Sequence, residues 1–148
     1  MPTPSESFAL PTNADWLLDT SAALALVLRS HKQHEVVLEH AADRTLGLAG
    51  HAVFETFSVL TRLPGVQRVS PMTAVRIIRT NFPASYALSA EGTVAAPEAL
   101  AAAGIAGGAV YDGLVALAAR EARAGLLTCD RRALPTYERL DGLAVTIV

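Results

Sequence analysis

Residues 16–21 read W-L-L-D-T-S and residues 125–130 read G-L-L-T-C-D. In both places an apolar run of strand character ends on an aspartate, Asp19 and Asp130. A carboxylate beside a core is costly unless something compensates its charge. The first strand is expected over 15–19, and Thr20 and Ser21 then supply good amino-terminal caps for an Ala- and Leu-rich helix over 20–30. The second strand, 125–129, leads to a short helix over 132–140. A chain in which strands pass directly into helices in this way is built from alternating layers.

Outward from these two stretches the same alternation continues. T-L-G-L-A at 45–49 is a weakly alternating strand, S-Y-A-L-S at 85–89 a short one, and L-A-V-T-I-V at 143–148 the last. Helices are predicted over 33–42, 51–63, 71–82, 94–103 and 109–123. Pro64 and Gly65 stop the 51–63 helix, Pro71 opens the next, and Pro97 sets the start of the 94–103 helix by requiring a place in its first turn. The fold class is α/β, a mainly parallel sheet covered by helices. One domain is expected over 15–148. Residues 1–14, with three prolines and several small polar residues before any periodic pattern, read as a flexible extension.

A chain of 148 residues, 51% of them hydrophobic, can bury roughly two thirds of its unfolded surface and needs no disulfide. Its single cysteine, Cys129, has no internal partner, which fits a reducing cytoplasm. No apolar run reaches membrane-span length and no leader pattern opens the chain, so the reading is cytoplasmic with no membrane partner. A net charge of −2 excludes a protein that binds nucleic acid by bulk positive charge; any such binding must be local.

In open parallel sheets ligands bind outside the carboxyl ends of the strands. If the strands ending in Asp19 and Asp130 are neighbours, their carboxylates stand side by side there, each ahead of a helix whose amino-terminal dipole favours negative charge. Asp112 joins them from an otherwise apolar helix. Its face carries Ala116 and Ala119, small residues that permit close approach. Glu55 lies at the border of a core stripe formed by Val53, Phe54, Phe57 and Leu60. Carboxylates gathered in this way repel one another and raise each other's pKa, a conflict that a hard divalent cation removes. With only oxygen ligands, Mg²⁺ or Mn²⁺ is favoured over Zn²⁺, and Mg²⁺ points to phosphoryl chemistry.

L-L-D-T-S-A at 17–22, F-E-T-F-S-V-L at 54–60, Y-D-G-L-V-A-L-A at 111–118 and L-L-T-C-D-R-R at 126–132 resemble, in order and spacing, the four acidic motifs of PIN domains, and most closely those of the VapC toxins. The resemblance covers 15–148. It implies a three-layer fold with sheet order 3-2-1-4-5. It also implies a metal-dependent endoribonuclease acting as the toxin of a toxin-antitoxin pair, with RNA as substrate, a VapB-type antitoxin as partner, and a homodimer. Carried over residue by residue, Asp19, Glu55, Asp112 and Asp130 form the acidic quartet. Asp19, Asp112 and Asp130 hold Mg²⁺, for which Mn²⁺ can substitute, Glu55 positions water and Thr128 lines the site.

The alternative is a PIN-like module that binds RNA or protein without catalysis; the intact acids argue against it. A response-regulator receiver needs a lysine near its last strand, and the only lysine is Lys32. A dehalogenase-like phosphatase needs a second aspartate where Ser21 stands. His31 and His34 lack the second ligand pair of a zinc site. Arg131 and Arg132 are candidates for phosphate contact, and Tyr111, next to Asp112, is a candidate to stack on a base, with an aromatic packed under the loop as the stronger reading.

Overall fold

A computed structural model describes residues 12–148. Among these residues, strands β1 (Trp16–Leu18), β2 (Leu46–Leu48), β3 (Gly125–Thr128) and β4 (Val145–Ile147) form one sheet of order β2-β1-β3-β4, parallel throughout. Leu18 stands opposite Leu127 in the register of β1 with β3, so the strands ending before Asp19 and Asp130 are neighbours, as expected. Leu17, Leu18, Leu48, Leu126 and Leu127 are fully buried. Adjacent residues of a strand point to opposite faces, so this pattern requires cover on both sides of the sheet.

The helices are α1 (Thr20–Val27), α2 (His34–Ala41), α3 (Ala52–Thr61), α4 (Pro71–Asn81), α5 (Ala90–Ala102), α6 (Val110–Ala122) and α7 (Leu134–Glu138). Helix α1 packs on α2 and α3, α3 on α4, and α6 on α5, α7 and β3. Close packing of α6 against α5 depends on Gly113, where an added Cβ would stand 2.5 Å from Leu100 Cδ2.

The fifth strand, expected over 85–89, is reduced to one parallel bridge between Ala49 and Tyr86. Its position at the outer side of β2 matches the third strand of the implied 3-2-1-4-5 order. Ala84 N donates to Leu46 O, Tyr86 N to Leu48 O and Gly50 N to Tyr86 O. Leu48 N, however, donates to the Ser85 hydroxyl (2.9 Å). A side chain thus takes the place of a ladder carbonyl and the regular pairing stops. Segment 84–85 also lies over Gly47, where a Cβ would stand 2.2 Å from Ala84 O, a space that only glycine leaves open.

Three other expectations are corrected. Helix α5 starts at Ala90, because Ser89 caps it by accepting from Gly92 N, and Pro97 sits inside it rather than in its first turn. The cap of α1 is Asp19 itself, which accepts from Ala22 N, so Thr20 is already helical. In α3 the inward line is Ala52, Thr56 and Leu60, and Phe54 is turned out with 69% of its surface exposed. Residues 1–11 of the expected extension 1–14 lie outside the described residues; Thr12 donates its hydroxyl to Ala84 O (3.3 Å).

Candidate metal centre

Asp19 directly follows β1, and its backbone N–H donates to Leu127 O of β3 (3.2 Å), which fixes the two strand ends against each other. The side chain is only 4% exposed. Its Oδ1 accepts from Ala22 N (3.0 Å) and Ser21 Oγ (2.6 Å), and its Oδ2 from Tyr137 OH (2.8 Å) and the Thr128 hydroxyl. Four donors share the two oxygens of this carboxylate, and three of them are hydroxyls, whose O–H can turn to free a lone pair for a cation. The sequence reading assigned compensation of this buried charge to a cation, whereas the fold supplies it from its own hydrogen-bond donors. Ser21 Oγ in turn accepts from Cys129 N (2.9 Å), and Thr128 Oγ1 from Asp130 N (3.0 Å), so one polar chain joins the two strand ends.

The other acids approach the same place. Asp130 turns its Oδ1 to Arg132 N (2.9 Å), with Arg132 Nε at 3.5 Å. Glu55, in the first turn of α3, accepts from Thr20 Oγ1 at Oε2 (2.8 Å), while His51 Nε2 lies 3.6 Å from its Oε1. Asp112, in the first turn of α6, forms no ion pair among the described residues. Burial raises its pKa, and the charges of Asp19, Glu55 and Asp130 raise it further. Asp19, Thr20, Ser21, Glu55, Asp112, Val115, Asp130 and Tyr137 line one cavity of about 70 Å³. The larger cavity of about 600 Å³ between α1, α2 and α4 contains a single acid, Glu35. Charge, rather than size, therefore identifies the candidate site.

All four acids of the sequence reading are thus brought together, with Thr128 bonded to the most buried of them. Among the described residues, no three His, Cys, Asp or Glu side chains stand close enough, as placed, to hold one ion. The donor set nonetheless fits a hard cation. It consists of oxygens alone, and the mutual repulsion felt at Asp112 is of the kind a divalent charge relieves. Closing on an ion requires side-chain movement, for which half-buried Asp112, Asp130 and Glu55 are placed and fully bonded Asp19 is not.

Arg131 and Arg132 are exposed, and with His31, Lys32 and Gln33 they line an open groove of about 400 Å³ that reaches Ser21, Cys129 and Asp130. The Cys129 thiol is pushed up to about 11 by burial and by the Asp19 charge, so it stays protonated and is a poor nucleophile. Sequence reasoning missed Tyr137, whose hydroxyl is drawn to Asp19 from α7; burial, then the Asp19 charge, raises its pKa and keeps it a donor. It also took Ser21 for a helix cap. The D-T-S spacing was a usable signal for Ser21. No local pattern marks Tyr137. Tyr111, expected under the loop, is 54% exposed and stacks on the His51 ring.

Comparison with known proteins bears on the family and the fold. The PIN domain family matches residues 16–140. Ribonuclease VapC27 of Mycobacterium tuberculosis (strain ATCC 25618 / H37Rv) is 50% identical over 123 residues, which cover 83% of this chain and 90% of that protein. Ribonuclease VapC40 of M. tuberculosis (strain CDC 1551 / Oshkosh) is 41% identical over 126 residues, 82% of this chain and 91% of that one. Among solved structures, VapBC2 from Rickettsia felis bound to a promoter DNA fragment aligns with a TM-score of 0.65 at 18% identity, covering 90% of this chain and 98% of that chain. DNA-bound VapBC from Salmonella typhimurium aligns at 0.64 and 14% identity, with the same coverage. At such identities these two structures speak to the fold alone.

Proposed function

The chain belongs to the PIN domain family, and on that premise we propose that it is a metal-dependent endoribonuclease of the VapC type, the toxin of a toxin-antitoxin pair. The observation that carries this reading is the carboxylate of Asp112, half-buried and with no ion-pair partner among the described residues, facing Asp19, Glu55 and Asp130 across one small cavity at the carboxyl ends of β1 and β3.

Asp19, Asp112 and Asp130 are the residues that would hold Mg²⁺ or Mn²⁺. Bound there, such an ion supplies Lewis-acid polarisation of a phosphate oxygen and lowers the pKa of water. The chain's own residues do the rest. Thr128, Ser21 and Tyr137 hold the Asp19 carboxylate in one orientation before substrate arrives, which is the preorganisation that electrostatic catalysis needs. Glu55, tethered by Thr20 and exposed on its other side, is placed to accept a proton from water and orient it. Arg131 and Arg132 offer guanidinium forks to backbone phosphates at the groove beside Asp130. That groove gathers Lys32, Arg131 and Arg132 beside Asp130 in a molecule of net charge −2.

The proposed setting is the cytoplasm, as a homodimer restrained by a VapB-type antitoxin. The named relatives, Ribonuclease VapC27 and Ribonuclease VapC40, support such a partner. No helix among the described residues is long and apolar enough to cross a membrane. The test is incubation of the purified protein with total structured RNA, with Mg²⁺, Mn²⁺ or a chelator, followed by mapping of the cut ends. Discrete cuts that need the ion and vanish in Asp112→Asn are expected. Intact RNA in every lane, or equal cutting by the variant, would overturn the proposal.

A further inference from the structure

Beside the acids three aromatic rings meet at the surface. The His51 and Tyr111 rings stack with centroids 5.1 Å apart and planes at 27°, and the Phe54 ring lies tilted against His51 at 6.0 Å. Phe54 is 69% and Tyr111 54% exposed. Leaving two large rings in water is unfavourable on folding grounds alone, and α3 has an inward face that Phe54 does not use. His51 and Phe54 also rim an apolar cavity of about 250 Å³ shared with Leu88 and Leu114.

The rings are tied to the acids at two points. Tyr111 immediately precedes Asp112, and His51 Nε2 lies 3.6 Å from Glu55 Oε1. A nucleotide whose phosphate sits at the carboxylates therefore has its base within reach of this aromatic surface. We propose that Tyr111, His51 and Phe54 form a stacking shelf for a nucleobase flanking the scissile phosphate. The inference rests on the ribonuclease reading above. A nucleobase suits the site because it offers a flat π-face to the rings, whatever its identity, while its own sugar-phosphate carries the group that the acid site and the Arg131–Arg132 groove receive. The shelf thus holds a flanking base without reading its identity.

The experiment uses an RNA oligonucleotide copied from a mapped cut, together with the same oligonucleotide made abasic at one or the other nucleotide flanking the cut. Stacking that persists from bound substrate to transition state appears in KM and not in kcat. Tyr111→Ala should raise KM roughly tenfold with little change in kcat, and Tyr111→Phe should keep the wild-type value. One of the two abasic substrates should show the same KM penalty with wild-type enzyme and no added penalty with Tyr111→Ala. Independent, additive penalties would overturn the shelf while leaving the nuclease in place. Wild-type protein that cuts no RNA would overturn both. If Tyr111→Ala or Phe54→Ala turned a dimer into monomers with KM unchanged, the rings would belong to a protein interface and the inference would fall.

Discussion

Tyr137→Phe isolates the device that holds Asp19. The ring is 1% exposed and stays in place, so the substitution removes one hydroxyl and leaves no ring-sized void. It deletes the 2.8 Å bond to Asp19 Oδ2, which keeps only the Thr128 hydroxyl as donor on that oxygen. A hydrogen bond to a charged group is worth about 1.5–3 kcal/mol. For a domain of this size each kcal/mol moves Tm by about 2–4 °C, so a fall of about 3–12 °C is expected in chelator. Tyrosine and its raised pKa contribute no pH dependence near neutrality, where the hydroxyl is protonated folded and unfolded alike. A freed Oδ2 also loosens the orientation of a residue that is to meet the cation. Outer partners of this kind typically change metal affinity or activity by about 10–100-fold, so the Mn²⁺ concentration needed for half-maximal cleavage should rise or kcat fall. Melting curves in EDTA, paired with a Mn²⁺ titration of RNA cleavage, read both effects. An unchanged Tm together with an unchanged Mn²⁺ dependence would refute the argument that Tyr137 orients Asp19.

Asp112→Asn and Asp19→Asn should move stability in opposite directions in the metal-free protein. The first relieves repulsion at a carboxyl whose pKa the fold raises. The second puts an amide NH₂ in place of an oxygen that now accepts hydrogen bonds. Because folded Asp112 binds its proton more tightly than the unfolded chain does, its contribution to stability falls as pH rises from the ordinary aspartate value through the raised folded value. Denaturant melts of wild type and Asp112→Asn across that window should diverge, and parallel curves would contradict the shift. Glu121 has the opposite sign: burial raises its pKa, but hydrogen bonds from the Ser89 hydroxyl and N–H, and from Tyr86, outweigh that and lower it. Its contribution is present above the ordinary glutamate value and lost as pH falls through the lowered one, so Glu121→Gln should flatten the acid limb of the melting profile. Gly47→Ala should destabilise by about 1–3 kcal/mol, because its Cβ would meet backbone atoms of Ala84 and Ser85 that cannot rotate away, with Mn²⁺ dependence preserved; an unchanged denaturation midpoint would contradict the close approach.

The acid site was largely legible because its pieces are local patterns. An apolar run, a terminal aspartate and a following helix mark Asp19 and Asp130, and a carboxylate on an apolar helix marks Asp112. What joins them is not local. Tyr137 reaches Asp19 across 118 residues of sequence, and a tyrosine in a short helix has no feature that reveals its partner. The fifth strand was misjudged because one serine hydroxyl, Ser85, takes the N–H that would have continued the ladder. Phe54 was assigned to the core because periodicity gives the spacing of a stripe and not its rotation about the helix. The inward line passes through Ala52 and Thr56 instead, and this same rotation sets Glu55 beside Thr20.

The central claim is that the ends of β1 and β3, with Asp112, build one divalent-cation site. It is tested most directly by the thermal stability of wild type, Asp130→Ala and Glu98→Ala with and without Mn²⁺. An ion that binds only the folded chain stabilises it by RT ln(1 + [M]/Kd), about 2.7 kcal/mol at a hundredfold excess over Kd. Glu98 is an exposed acid on α5 outside the cavity, so its variant should keep the full Mn²⁺ shift. In Asp130→Ala the shift should shrink sharply. A Mn²⁺ stabilisation that persists undiminished in Asp130→Ala would contradict the claim that the two aspartate-ended strands serve a single ion.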